Sequence, residues 1–310
     1  MKIKIKKKTV SKYLFVGTLM IIPVTLWIIF YIGRNVTFFM LPFQNITYTT
    51  QGNVTTFDAG FSHFVEFFDM IQDGGSFVVR GILNSMRLWW TQTLICLPLS
   101  LFFSYFIFKK VWGTRWFQFV VLLPTIISGF VYSLIFRKMA DGGPLNVLFS
   151  QMIGEDVSLF RDERYNFQVI VFYSVWMGFG SRTIYYSNAM KDIDDEVLES
   201  AKLDGVDNMF SELWYMIIPL IWPTISTFFI TGVAGMLMAS GPLFEWYGVG
   251  NVPPNVYTFG FYFTEQMLNG GNETMYPFMA AASVCLSVVA VSLTYTVRYF
   301  FNKLEDKWHG

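Results

Sequence analysis

The chain has 310 residues, of which 54% are hydrophobic, 19% aromatic and 14% charged, and its 22 Lys and Arg balance its 22 Asp and Glu. Soluble domains carry about 25% charged residues, so this chain cannot coat a water-facing surface, and its zero net charge offers no basic field for nucleic acid. The two cysteines, Cys96 and Cys285, lie in apolar runs, and the two histidines, His63 and His309, are far apart. That argues against a disulfide framework, a thiolate cluster and a His-based metal site, and composition points to a polytopic membrane protein.

A hydrocarbon core about 30 Å thick takes about 20 apolar residues as helix, and six segments meet that length. A basic stretch, residues 1–12, precedes the first span, Tyr13–Ile32, within residues 13–33. Its apolar run is longer than a signal-peptide core and no A-x-A site follows, so an uncleaved span is expected. Residues 34–80 form a polar connector, in which Phe57, Phe61, Phe64, Phe68 and Ile71 recur at helical spacing. That predicts a helix lying on the outer membrane face. Leu88–Phe108 and Trp116–Phe136 are uncharged and predict spans two and three, followed by a turn at Gly142, Gly143 and Pro144. Tyr165–Asn188 carries only Arg182, close enough to one end to snorkel. Leu213–Phe244 is uncharged but too long for one span, and its membrane part is placed at Leu220–Gly241. Gly241–Gly271, rich in Gly, Pro, Tyr and Trp, predicts an ordered outer loop. Thr274–Val297 is the last span, completing a five-helix core over residues 81–302 and leaving 303–310 as a tail. The runs lack the alternation of barrel strands, so the fold class is an all-α membrane protein with six transmembrane helices.

Orientation follows from Lys and Arg. With the N-terminus inside, the inner segments hold fourteen: Lys2, Lys4, Lys6, Lys7, Lys8, Lys12, Lys109, Lys110, Arg115, Lys191, Lys202, Arg298, Lys303 and Lys307. The outer segments hold seven: Arg34, Arg80, Arg87, Arg137, Lys138, Arg161 and Arg164. Both termini are thus expected in the cytoplasm. Four Asn-x-Thr sequons, at Asn35, Asn45, Asn53 and Asn272, fall on the outer side, where they matter only in a glycosylating pathway.

The inner loop Ala189–Glu212 breaks the basic rule. It holds Asp192, Asp194, Asp195, Glu196, Glu199, Asp204, Asp207 and Glu212 against Lys191 and Lys202, a net of −6. Val197–Leu203 is helix-prone, Asp194 or Asp195 can cap it, and Gly205 can end it with positive φ. A second amphipathic stretch runs to Met216 with Phe210, Leu213 and Trp214 on one face, and Pro219 can occupy the first turn of span five. A solvated acidic loop is the plain alternative. Helix, glycine break, helix and membrane in succession would instead make a rigid knob for a partner's groove.

Val197-Leu-Glu-Ser-Ala-Lys-Leu-Asp-Gly205, followed by Met216-Ile-Ile-Pro219, resembles the "EAA" coupling loop of ABC importer permeases, closest to the sugar-type permeases of the maltose and glycerol-phosphate class. Glu199, Ser200, Ala201 and Gly205 match with one Ala→Ser, and ten residues rather than nine separate Gly205 from Met216. The likeness covers about Gly81–Lys307, with Gly81-Ile-Leu-Asn-Ser85, Leu123-Pro124, Gly143-Pro-Leu-Asn146 and Trp176-x-Gly178 in support.

The resemblance implies a type I ABC importer permease in the cell membrane, not an enzyme, and resembling the first permease of a pair. No G-x-x-x-x-G-K-[ST] loop occurs, so no cofactor is expected in this chain, while ATP and Mg belong to a separate ATPase dimer. Implied partners are that dimer, a second related permease, an extracytoplasmic solute-binding protein, a carbohydrate and the lipid bilayer, with no nucleic acid. The implied ATPase-coupling residues are Glu199, Ser200, Ala201, Asp204, Gly205 and Pro219 within residues 189–218. Carried over by motif, the substrate pathway is Thr125 and Gly129; Ser174, Trp176, Met177, Gly178 and Ser181; and Gly232, Met236, Ala239 and Ser240. Small residues also line helix interfaces, so packing is the competing role for each. The asparagines used by the maltose type in span five are missing, and an oligosaccharide suits the wider cavity. A secondary transporter would need intramembrane ionisable groups or broken helices in matched repeats, and neither is visible. A glycerol-phosphate permease of the same family would need a cation, and the pathway residues include none.

Overall fold

The computed structural model describes residues 7–49, 52–57, 60–74, 76–206, 208–268 and 273–309. Lys2, Lys4, Lys6, Asp207 and the sequon at Asn272 lie outside the described residues. The chain divides into two compact units, Met1–Asp69 with Gly271–Cys285, and Met70–Gly270 with Leu286–Gly310.

In the first unit, α1 (Lys7–Leu26) passes through a π segment, Trp27–Ile32, into α2 (Gly33–Met40). Phe15–Phe43 is apolar enough to cross a membrane, and none of the residues in its most apolar stretch is buried. A hairpin follows, β1 (Gln44–Thr49) with β2 (Gly52–Phe57), antiparallel from Gln44↔Phe57 to Thr49↔Gly52. The connector was expected to hold only a helix. Its Ile46-Thr-Tyr-Thr49 and Val54-Thr-Thr-Phe57 runs are β-branched and aromatic, which suits strands. Phe57 therefore belongs to β2, and the helix is α3 (Ser62–Gln72), with Phe61, Phe68 and Ile71 exposed and Phe67 buried.

The second unit is built on α4 (Phe77–Phe108), whose first turn is capped by Ser76 Oγ accepting from Val79 N at 3.4 Å. It starts eleven residues before the expected Leu88. The expected third span, Trp116–Phe136, is not one helix. It is α5 (Thr114–Ile126) and α6 (Gly129–Ala140), bent by 103° at Ile127–Ser128. Pro124 starts this break by removing one N–H from the ladder, and Ile127 is extended with ψ 141°. After α7 (Pro144–Ile153), α8 (Asn166–Lys191) runs against α4. Gln92 Nε2 donates to Ser174 O at 3.1 Å and Ser104 Oγ to Thr183 O at 2.8 Å, tying the two helices inside the fold.

The acidic loop carries α9 (Asp195–Leu203). Next come α10 (Met209–Ser211), a π segment Glu212–Ile217 and α11 (Ile218–Leu220), then α12 (Trp222–Gly235) after a 71° bend. Span five was expected to run unbroken over Leu220–Gly241. Pro219 lies before the bend, inside the helical run, and Pro223 takes the first turn of α12 instead. The wide π turn accommodates the N–H that Pro219 lacks. The loop expected on the outer side carries α13 (Leu243–Tyr247) and α14 (Phe259–Leu268) among its described residues, and α15 (Tyr276–His309) follows. Trp246 of α13 is buried, stacks on Phe136 at 5.4 Å and donates Nε1 to Ser133 O at 3.0 Å.

Among the described residues three helical runs, Phe15–Phe43, Phe77–Phe108 and Glu273–Trp308, are long and apolar enough to cross a bilayer, and the two bent pairs bring the number to five. The sixth expected span, α8, has the length at 26 residues but is diluted by Gln168, Ser174, Ser181, Arg182, Thr183, Ser187 and Asn188. Thr183 and Ser187 are fully buried, so this helix faces protein and needs less apolar surface than one in lipid.

Gly180 on α8 permits the close approach of α5, because a Cβ there would lie 2.2 Å from Val121 O. Gly180→Ala is expected to cost about 1–3 kcal/mol by forcing the helices apart. Gly235→Ala, with nothing within 4 Å, should cost nothing. Thermal denaturation of the two variants in detergent checks this, and equal midpoints would count against the packing described.

Candidate coupling surface and translocation path

Helix α9 is short and no residue in it is buried. Asp194 stands at the N-cap position, but its side chain makes no capping bond; its backbone oxygen receives Val197 N at 3.1 Å and Leu198 N at 3.3 Å. Asp195 and Glu196 in the first turn and Lys202 in the last complement the helix dipole. The end is sharp. Gly205 has φ +88°, Gly205 N bonds Lys202 O and Val206 N bonds Ala201 O, both at 3.1 Å, a Schellman closure that needs the left-handed glycine.

On this helix Glu199, Ser200 and Asp204 are exposed, Ala201 is half-buried, and Ser200 Oγ donates to Val197 O at 2.9 Å. Leu203 is 89% exposed, and Phe210, Trp214 and Tyr215 are exposed just beyond the glycine. A run of apolar side chains held out by an acidic helix has the form of a docking surface. It would be useless as a lever without a rigid base, and the base is Glu212. This carboxylate is 9% exposed; Lys109 Nζ meets Oε1 at 2.5 Å and Tyr105 OH donates to Oε2 at 2.7 Å. Around it Leu101, Tyr105, Tyr186, Met190, Ile217, Ile221 and Ile225 form one apolar cluster. Sequence reading missed this pin. Its signal is an acid directly before one uncharged stretch and a lysine directly after another.

The expected pathway residues divide between two settings. Ser174, Met177, Gly178 and Ser181 share one face of α8, turned to α4: Ser174 O accepts Gln92, and a Cβ on Gly178 would lie 3.3 Å from Gln92 Nε2. Ser181 Oγ donates to Gly178 O at 3.4 Å. Gly232 is in tight contact with Trp89, a Cβ there falling 2.7 Å from its Nε1, and Met236 is buried. Thr125 and Gly129 flank the α5–α6 break and are exposed, with Thr125 Oγ1 donating to Leu122 O at 2.7 Å. Trp176 is exposed on another face of α8, with Tyr132 at 5.9 Å. Ala239 is exposed and Ser240 half-buried in the irregular stretch after α12, close to the backbone of Gly260.

The Gly81–Ser85 motif ties α4 to the outer loop. Asn84 Nδ2 donates to Pro254 O and Tyr257 O, both at 3.0 Å, and Ser85 Oγ accepts from Phe259 N at 3.0 Å. Tyr257 OH donates to Glu265, whose other oxygen receives Gly250 N at 2.7 Å. Burial and the adjoining carboxylate raise the Tyr257 hydroxyl well above its ordinary pKa, so it stays a donor. Among the described residues no group of three His, Cys, Asp or Glu could hold a metal.

Comparison with known proteins bears on this arrangement. The family model "Binding-protein-dependent transport system inner membrane component" matches residues 74–306. Protein LplB of Bacillus subtilis (strain 168) is 25% identical over 252 residues, covering 80% of this chain and 76% of LplB. The multiple sugar-binding transport system permease protein MsmF of Streptococcus mutans is 25% identical over 257 residues, 79% of this chain and 81% of its own. In a crystal structure of a bacterial ABC transporter involved in the import of the acidic polysaccharide alginate, one chain is similar with TM-score 0.75 and 20% identity, covering 96% of this chain and 98% of that one. A second structure of a bacterial alginate ABC transporter, in complex with alginate pentasaccharide-bound periplasmic protein, gives TM-score 0.74 at 21% identity, over 95% and 96%. At such identities the structures speak for the fold, and the fold is that of a type I importer permease. A chain with this fold, matched over residues 74–306, belongs to the family of binding-protein-dependent transport system inner membrane components, multi-pass transport permeases rather than enzymes.

Proposed function

We propose that this permease moves an oligosaccharide by alternating access, driven by a separate ATPase dimer that grips α9 from the cytosol. The observation that carries the reading is the exposed acidic helix with Leu203 held out, standing on the Lys109–Glu212 pin. Closure of the ATPase dimer on ATP and Mg pulls α9. The pin passes the motion to α4 rather than letting the loop slide. Glu199, Ser200, Ala201, Asp204 and Gly205 form the gripped element, and Pro219 lies in the run that joins it to α12. Both termini lie in the cytoplasm. A second related permease completes the path, and a solute-binding protein delivers the solute to the outer loops.

Sugar as the solute class is supported by relatives such as the multiple sugar-binding transport system permease protein MsmF and by Trp176, whose exposed ring can stack on a sugar face. Thr125, Gly129, Ala239 and Ser240 offer polar or open positions at irregular backbone. Ser174, Met177, Gly178, Ser181, Gly232 and Met236 shape the wall behind them. A glycerol-phosphate solute is disfavoured because this set has no cation. The two helix breaks would also suit a secondary transporter, but family membership and the exposed α9 favour the ATP-driven reading.

Gly205→Pro cannot adopt φ +88°, and Glu199→Lys reverses a charge on the gripped face. Each is expected to leave the protein in the membrane while lowering ATP-driven uptake by about tenfold or more, the loss of about 1.4 kcal/mol of coupling. Uptake in right-side-out vesicles loaded with ATP, or in reconstituted vesicles with the solute-binding protein on the outer side, reads this, and normal rates in both variants would defeat the coupling role. The pin makes an asymmetric prediction. Lys109→Met strands a buried carboxylate and is expected to cost about 3 kcal/mol. Glu212→Met leaves a lysine whose side chain is 31% exposed and can reach water, so it should cost less than half as much; denaturation midpoints of the two variants compare them. Deletion of the gene followed by growth on a panel of oligosaccharides tests the solute class. Unimpaired growth on every oligosaccharide, with growth lost on a non-sugar solute, would reject it.

A further inference from the structure

We infer that the cleft between the α4–α5 turn and the end of α8 binds the headgroup of an acidic phospholipid. The cleft measures about 860 Å³ and its lining includes Lys110, Arg115, Lys191, Trp112 and Trp116, with no acidic residue. These three cations come from two places in the chain, the 109–116 turn and the last residue of α8. They form no ion pair among the described residues, and Lys191 Nζ donates only to Asn188 Oδ1 at 3.3 Å. No described carboxylate lies within ion-pair distance of them. Glu212 is held by Lys109, and Asp192 and Asp194 are exposed to solvent.

The turn is built in an unusual way. Lys110 has φ +53° and is the one non-glycine with positive φ among the described residues. Its N–H bonds Ile107 O at 3.1 Å and Val111 N bonds Phe106 O at 3.3 Å. This is a helix closure that glycine normally makes without strain, so a lysine here is held against its backbone preference. Three residues on, α5 opens from Gly113 with no side-chain cap. Thr114 N is already bonded to Val111 O at 3.1 Å, so the helix contributes through its dipole, which adds positive potential to a cleft that is already cationic. An anion with several acceptor oxygens meets the three cations together.

The tryptophans say which anion. Trp112 is completely exposed and Trp116 is 76% exposed. Tryptophan so placed at the end of a membrane helix sits at headgroup depth, so the ligand is carried by a lipid. Basic pockets between membrane helices take acidic headgroups in this way. A zwitterionic lipid would bring an ammonium into a site with no carboxylate in its lining. Phosphatidylglycerol, with a phosphodiester and a neutral glycerol, fits. Lys110 lies one residue from the Lys109–Glu212 pin, and Lys191 is itself part of the acidic loop. The site does not depend on what solute is carried.

The test is native mass spectrometry of the intact permease complex released from nanodiscs of phosphatidylglycerol or phosphatidylcholine. The wild type is expected to retain phosphatidylglycerol at least tenfold over phosphatidylcholine. Arg115→Gln and Lys110→Gly are each expected to lower that retention roughly fivefold, the worth of one interfacial cation. Lys110→Gly relieves the left-handed turn, so a folding failure does not explain its loss. The double variant Lys303→Gln, Lys307→Gln, which removes cations on α15, should retain the lipid as the wild type does. Equal retention of both lipids, an effect of the α15 variant as large as that at Lys110, or no change in Lys110→Gly would overturn the proposal. Release of the lipid by inorganic phosphate alone would reassign the site to a free anion and overturn it as well.

Discussion

A carboxylate taken out of water must be answered by the protein around it. Glu212 is answered twice, by Lys109 and by Tyr105, and both partners sit at the end of α4. An unpaired buried charge would cost several kcal/mol, so the helical run carrying Glu212 cannot drift along α4 as an apolar face could. An apolar contact tolerates sliding; a two-oxygen anchor with two donors has one register. The cluster of Leu101, Tyr186, Met190 and Ile217 supplies cohesion around it, while the charge supplies position. That division would matter in the coupling role proposed for α9, where a soft base would absorb the motion before it reached the membrane helices.

The two broken helices follow a second constraint. Backbone that leaves the helical ladder inside a bilayer has polar groups to satisfy, and lipid satisfies none of them. Such breaks persist where protein or a wet cavity covers them. The α5–α6 bend of 103° and the 71° bend before α12 therefore mark the interior of the membrane unit rather than its lipid rim. Thr125 and Gly129 flank the first of these bends. Trp176 approaches Tyr132 on the helix beyond the bend. The proposed path for a hydroxyl-rich solute would need exposed polar backbone beside an aromatic platform, and the exposed Thr125, Gly129 and Trp176 are consistent with it.

Much of this was legible in the residues. The acidic loop, its glycine stop and the amphipathic stretch behind it follow from local rules, and Gly205 adopts the positive φ that the stop requires. The helix breaks were not legible, because an apolar run such as Trp116–Phe136 satisfies a length test whether or not it bends. Pro124 was visible, yet a proline inside a membrane helix bends it or not according to its neighbours. The hairpin at Gln44–Phe57 was hidden by the polarity of its threonines. The small residues were ambiguous for a deeper reason. Gly178 and Gly232 were read as pathway positions with helix packing as the competing role, and each has Gln92 or Trp89 at short range. A glycine reports only that something comes close, and sequence does not say whether that is a solute or a neighbouring side chain. The Lys109–Glu212 pin joins positions 103 residues apart, beyond the reach of any local pattern.

The acidity around α9 has a physical consequence for any partner that would dock there. Asp192, Asp194, Asp195, Glu196, Glu199 and Asp204 surround a helix whose apolar tip is Leu203. Rim charges of one sign contribute less to the strength of a complex than to its rate of formation and its choice of partner. The apolar tip, once enclosed, supplies the affinity that the exposed carboxylates cannot. A partner groove that is basic at its rim and apolar at its floor would meet both requirements, and an acidic groove would be repelled before contact. The same carboxylates keep an exposed leucine from drawing the loop into the membrane surface, since each would have to be desolvated on the way. In the coupling role proposed for α9, charge would hold the helix in water and apolar surface would hold it in its partner, and it would need both because its base lies within the folded core.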